Sequence, residues 1–200
     1  MSGIALIVGL GNPGPSYAET RHNVGAVWVE ALAYRYGVTL VEETKFKARV
    51  GRGRIAGRDL RLMIPSTYMN DSGEAVGAIV RFYKWDPAEL LVAYDEMAFD
   101  PGQVRYRQGG GDNGHNGIRS IVSHLGNRKD FHRLRIGVGH PGDKSRVTAF
   151  LTSQRMPGSE RDLVEEALRL PEAVVGDLVE GHWQQAVNAL HAPDQPAPKE

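Results

Sequence analysis

Short apolar runs alternate along this chain with longer stretches in which apolar residues recur three and four positions apart. The runs cover 4–8, 60–64, 90–93 and 134–138, each the length of a strand buried on both faces. Between them, residues 24–36 place Val24, Val27, Trp28, Ala31 and Leu32 on one helical stripe. Residues 72–83 do the same with Val76, Ile79, Val80 and Tyr83, and 118–125 repeats the pattern. Alternation of this kind predicts an α/β layer fold. Two strand-like segments within 48–64 flank Ala56-Gly57-Arg58-Asp59, which predicts a hairpin and therefore a mixed sheet. Ser72 is the candidate N-cap of the second helix. The acidic stretch 159–191 has helical period and is expected to break or kink at Pro171 and Gly176. We expect one α/β domain over residues 1–191, with a twisted mixed β-sheet surrounded by α-helices. The last nine residues, 192–200, hold three prolines and are expected to form a flexible tail.

The chemistry-bearing positions follow the apolar runs. The first run leads into Gly9-Leu10-Gly11-Asn12-Pro13-Gly14, the second into 65–70 (PSTYMN), and the third into Tyr94-Asp95-Glu96. In open α/β sheets ligands bind at the carboxyl ends of the strands, so Asn12, Asn70 and Asp95 are expected to converge there. A fourth segment, 109–117 (GGGDNGHNG), is costly in chain entropy and looks built for close backbone approach to a ligand. GLGNPG also matches the dinucleotide fingerprint, but Pro13, Pro15 and Ser16 follow it and helical period resumes only near Val24. A Gly/Pro turn is the better reading, with a nicotinamide-dependent oxidoreductase kept as the minor alternative. His22 precedes the first helix; alone it is an ordinary loop residue, but Asp95 could hold one ring nitrogen while the other faces water.

With 200 residues the chain buries roughly 70% of its unfolded surface, so it needs neither disulfide nor structural metal to fold. It has no cysteine, which removes thiol nucleophiles and thiolate zinc sites. The other histidines, His115, His124, His132, His140, His182 and His191, show no metal-ligand spacing, and GxSxG is absent, so neither a metal site nor an elbow serine is expected. No apolar run approaches the ~18 residues that span a bilayer, and no basic leader precedes the first strand; we expect a cytoplasmic protein that does not enter membranes. The 24 Lys/Arg balance 24 Asp/Glu, yet residues 101–150 carry nine basic against three acidic side chains and 151–200 four against nine. Such segregation marks a local anion site, unless the charges pair across the surface. Arg105, Arg107, Arg119, Arg128, Lys129, Arg133 and Arg135 supply most of it; arginine forks suit phosphate, and the alternative is a solvated face. Tyr17 and Tyr68 could stack on unpaired bases or simply pack half-buried.

Taken together, 6–14 (LIVGLGNPG), Tyr17, 20–25 (TRHNVG), Lys45-Phe46, 65–70 (PSTYMN) with Ser72-Gly73, 92–96 (VAYDE), 114–120 (GHNGIRS) and 131–142 (FHRLRIGVGHPG) resemble the bacterial peptidyl-tRNA hydrolases, over the chain as far as about His191. The resemblance implies a monomer that acts on peptidyl-tRNA, cleaving the ester between the peptide and the 3′-terminal adenosine, without cofactor. It implies His22 as general base, Asp95 as the carboxylate that keeps it oriented and basic, and Asn12 as the group distinguishing blocked from free amines. Asn70, Asn116, Tyr17 and Tyr68 fall on substrate-binding positions, and Arg107 and Arg135 on residues assigned to the tRNA 5′-phosphate. Asp71 and the pair Asp112-Asn113 depart from the family pattern, which bears on loop mobility but not on the catalytic positions.

The residue types suit the reaction. An aminoacyl ester is activated, so a positioned water and a base of near-neutral pKa suffice, and histidine supplies one at about 6.5. Carboxamides read a peptide's C=O and N–H without charge, whereas a free ammonium would have to shed water in the same place. A relative that binds RNA without catalysis, the other alternative, is expected to lack His22 or Asp95, and both are present.

Overall fold

A computed structural model describes residues 3–191. Seven strands, β1 (Leu6–Gly9), β2 (Val41–Glu43), β3 (Ala48–Ile55), β4 (Arg58–Pro65), β5 (Leu90–Glu96), β6 (Val104–Gln108) and β7 (His132–Gly137), form one sheet in the order β2-β3-β4-β1-β5-β7-β6. The central β4, β1, β5 and β7 run parallel, while β2, β3 and β6 pair antiparallel toward the two edges. Helices α1 (Val24–Arg35), α2 (Ser72–Tyr83), α3 (Asn116–His124), α4 (Val147–Thr152), α5 (Gly158–Leu168), α6 (Glu172–Glu180) and α7 (Trp183–Leu190) complete it. None of the described helices is long and apolar enough to cross a membrane.

Both faces of the sheet are covered. Along β1 the side chains alternate between two cores: Ile7 packs with α1, α6 and α7, and Leu6 and Val8 pack with α2 and α3. This is why the central runs are apolar without a break. The expected hairpin joins β3 to β4 through Ala56 and Gly57, both with positive φ, the twist that a two-residue connection needs.

Three expectations change, and two strands are added. The third apolar run continues as strand through Asp95 and Glu96, because both side chains find polar partners at the sheet's end. Ser72 is the first residue of α2 rather than its cap: its hydroxyl donates to the Met69 carbonyl at 2.7 Å, in the 3-10 turn Met69–Asp71 that leads into the helix. Gly176 lies inside α6; the chain breaks around Pro171, as expected, and then at Gly181, whose φ of +81° ends the helix as a left-handed glycine does. The edge strands β2 and β6 have no continuous apolar run to betray them, since an edge strand can carry charge. The tail expected at 192–200 lies outside the described residues.

Close packing of α1 brings the functional residues together. A Cβ on Gly9 would stand 2.4 Å from the Gly25 carbonyl oxygen, and one on Gly25 only 2.1 Å from that of Ala93. The helix therefore rests directly on β1 and β5. The glycines of GLGNPG serve this contact and the turn that follows; no helix begins within the motif to face a pyrophosphate, so the dinucleotide reading loses its support.

Candidate active site

The 3-10 turn Arg21–Asn23, directly before α1, lies over the carboxyl end of β5. Here His22 Nδ1–H donates to Asp95 Oδ2 at 2.8 Å, and both side chains are buried. On the other oxygen, His115 Nε2–H donates to Asp95 Oδ1, also at 2.8 Å. His115 had no distinguishing spacing in the sequence; its only signal was its place beside Asn116 in the glycine-rich segment. It caps α3, where its Nδ1 accepts the Ile118 N–H at 3.3 Å.

These bonds fix protons. A carboxylate only accepts, so both facing nitrogens carry hydrogen; His115 Nδ1 must stay bare to accept from Ile118, and His22 is left with a bare Nε2 while neutral. Burial by itself would lower the His22 pKa, but the Asp95 charge and hydrogen bond more than offset it and raise it above 6.5. Burial would raise that of Asp95; the two imidazoles reverse this and hold the carboxyl far below the usual range. Among the described residues His22, Asp95 and His115 also form the group whose ligand atoms lie close enough for a cation, within 4.8 Å. Their N···O separations of 2.8 Å are those of hydrogen bonds, since two ligands on one tetrahedral zinc stand about 3.3 Å apart.

His22 and Asp95 line a cavity of about 420 Å³ with Asn12, Tyr68, Asn70, His115 and Asn116; Met97, Val147 and Leu151 provide its apolar wall. The three amides expected from sequence are thus brought around the base. Asn12 is held firmly: its Oδ1 accepts the Met69 N–H at 2.7 Å, and its backbone N–H and C=O both bond the Asn23 side chain at 2.9 Å. With Oδ1 already accepting from Met69, the Nδ2–H donor is the part of the carboxamide left for a ligand in the first place. Exposed Tyr68 meets Tyr17 edge to face, ring centroids 6.3 Å apart; Tyr17 itself does not line the cavity. Arg21, buried beside His22, lies over the Phe150 ring at 3.8 Å and bonds Glu160 at 2.8 Å, so the turn carrying the base is tied to α4 and α5.

The basic segment divides by role. Arg133 is wholly buried, and its guanidinium donates to the carbonyls of Gly110, Gly111 and Lys129. Part of the glycine-rich backbone thus approaches an arginine of the protein itself and not a ligand. Arg119 pairs with Asp112, and Arg128 with Asp86 and Asp130. Arg107 and Arg135 occupy diagonal positions on one face of the β6–β7 ladder. Arg135 reaches Glu96 at 3.7 Å, and Glu96 in turn accepts from Asn113 Nδ2 at 2.9 Å. The cavity rim and the arginine pair are thus linked by a carboxylate that the sequence motifs include but assign no role. Burial lowers the Arg135 pKa, and Arg107 and Arg133 lower it further despite Glu96.

Known proteins share this arrangement's frame. The model of the family described as peptidyl-tRNA hydrolase matches residues 6–198. The peptidyl-tRNA hydrolase of Azotobacter vinelandii is 47% identical over 192 residues, 96% of this chain and 98% of its own. That of Acinetobacter baylyi is 49% identical over the same shares. The crystal structure of peptidyl-tRNA hydrolase from Acinetobacter baumannii aligns with a TM-score of 0.92 at 48% identity, covering 98% of both chains. With a family model spanning nearly its whole length and relatives of this identity, the chain belongs to the peptidyl-tRNA hydrolase family.

Proposed function

We propose that this chain hydrolyses the ester joining a peptide, or an N-blocked aminoacyl group, to the 3′-terminal adenosine of tRNA, and so recycles tRNA from prematurely released peptidyl-tRNA. The observation that carries the reading is the row His22–Asp95–His115, with one imidazole opening onto a cavity ringed by three uncharged amides. His22 Nε2 takes a proton from water as the oxygen attacks the ester carbonyl. Amide donors from Asn12, Asn70 and Asn116 stabilise the oxyanion and hold the peptide. The tetrahedral intermediate then collapses: the C–O bond to the ribose breaks, the imidazolium returns its proton to the leaving 3′-oxygen, and peptide acid and tRNA result. The reaction needs neither metal nor organic cofactor, because the ester is activated and the base is in place. We assign it to a cytoplasmic monomer, one domain over 1–191. Release of N-acetyl-amino acid from N-acetyl-aminoacyl-tRNA, unchanged by a chelator, tests the assignment; a wild-type chain without that activity overturns it.

Asn12 gives a route to sparing charged tRNAs. A blocked substrate offers an acyl oxygen to its Nδ2–H, whereas a free ammonium offers only donors and meets one. Asn12→Asp replaces that donor by an acceptor, so the preference for N-acetyl-aminoacyl- over aminoacyl-tRNA is expected to fall by about tenfold or more. Equal rates of loss for both substrates would remove Asn12 from this role.

Arg107 and Arg135 are read as the clamp for the tRNA 5′-phosphate, with Tyr17 and Tyr68 at the substrate's entry. Arg107→Ala and Arg135→Ala are each expected to raise KM and to reduce its dependence on salt by about one phosphate contact, with kcat nearly unchanged. Effects confined to kcat would contradict the clamp.

A further inference from the structure

We propose that Asn23 is a positioning residue that sets the selectivity of the site, by fixing the backbone of Asn12 at a defined distance from His22. The inference rests on reading Asn12 as the group that tells a blocked amine from a free one. Asn12 lies in the loop after β1, and the buried Asn23 carboxamide takes both of its backbone groups: Oδ1 accepts the Asn12 N–H and Nδ2–H donates to the Asn12 C=O, each at 2.9 Å. The pair is reciprocal, as between neighbouring strands, and it joins the loop to the turn that carries the base. That turn is itself fixed, by Asn23 N–H to the Thr20 carbonyl and by Arg21 to Phe150 and Glu160. Base and reader thus hang on adjacent residues: His22 is the one, and Asn23 holds the other.

The neighbouring sequence makes room for this contact. A Cβ on Gly11 would stand 2.9 Å from the Ala26 Cβ and 3.0 Å from both Cγ and Nδ2 of Asn23, so the second glycine of GLGNPG leaves space for α1 and for the amide together. Met69 then orients the Asn12 side chain, so backbone and carboxamide are set by two different neighbours. Hydrogen-bond discrimination decays steeply with angle and distance, and a displacement of about 0.5 Å is enough to degrade a preorganised site. Losing Asn23 should therefore blur the distinction between substrates while leaving the His22–Asp95 pair as it is.

The test compares kcat/KM for an N-acetyl-aminoacyl-tRNA and for the same aminoacyl-tRNA unblocked, in the full chain and its Asn23→Ala and Asn23→Asp variants. Alanine removes both bonds; aspartate removes the donor and sets a carboxylate against the Asn12 carbonyl. Both are expected to lower the blocked-over-free ratio by about three- to tenfold, the worth of one or two hydrogen bonds. In the alanine variant the acid limb of the kcat/KM profile should stay where it is in the wild type; the aspartate carboxylate, beside His22 in the chain, is expected to move it toward alkali, so that variant is judged on the ratio. An equal loss for both substrates, or a shifted acid limb with an unchanged ratio, would overturn the proposal and leave Asn23 a purely structural residue. If the alanine variant does not fold, as judged by circular dichroism, the aspartate variant decides. Asn12→Asp runs alongside: an unchanged ratio there refutes the reading of Asn12 itself, whereas a lowered ratio there with none in the Asn23 variants refutes only the proposal made here.

Discussion

Replacing His22 by alanine is expected to lower kcat by about 10²- to 10⁴-fold, the range that general-base assistance contributes, with KM for the tRNA substrate nearly unchanged. The cavity walls, the amides and the arginine pair all remain, so binding persists without the group that deprotonates water. In the wild type, kcat/KM should fall toward acid as His22 takes up its proton, with a midpoint above 6.5, because Asp95 makes the imidazole more basic than it is in an unfolded chain. The same coupling acts on stability in the opposite sense. A histidine more basic when folded contributes stability below about pH 6.5 that fades as pH rises through its folded pKa, so this contribution is weakest where the base is most available. A variant that retains wild-type kcat would show that water is activated elsewhere.

Asp95→Asn should be as damaging, about 10³- to 10⁴-fold in kcat, because it puts the base in the wrong tautomer. Asparagine offers one acceptor and one donor where aspartate offered two acceptors. His115 cannot adapt: its Nδ1 is committed to the Ile118 N–H, so its Nε2 must go on donating, and the oxygen of the introduced amide must face it. That amide then points its N–H at His22 Nδ1, which becomes the acceptor, and the ring's hydrogen moves to Nε2, where the base was needed. Removing His115 as well frees the amide to turn. We therefore expect the double variant Asp95→Asn, His115→Ala to regain at least about tenfold in kcat over Asp95→Asn alone, a non-additivity typical of groups that act as a unit. Single-turnover rates on N-acetyl-aminoacyl-tRNA measure it. If the second substitution only worsens the first, the two imidazoles are not coupled through the carboxylate in this way.

The central strands and the helices that cover them were legible because burial on both sides leaves an unbroken apolar run, and burial on one side leaves a helical stripe. The edge strands were not, since charged side chains such as Glu42 and Arg107 are free to point into solvent from an edge. Gly176 misled for a related reason: a helix tolerates glycine, and what ends α6 is the left-handed backbone at Gly181, which no residue count reveals. Among the arginines, residue type decided nothing about role. Arg133 and Arg135 are two positions apart on one strand, and the first is swallowed by the glycine-rich loop while the second keeps part of its surface.

Sequence alone determined which chemistry was available: a histidine without cysteine or elbow serine, a strand-end carboxylate, and asparagines placed where strands end. It could do so because the type of a side chain sets what it can donate, accept or ionise. The tertiary structure decided how those groups are wired. Asp95 serves two imidazoles and not one, Asn12 spends an acceptor on Met69 and keeps its Nδ2–H donor, and Asn23 ties the reader to the base, because each depends on which lone pair or hydrogen a neighbour distant in sequence has already taken.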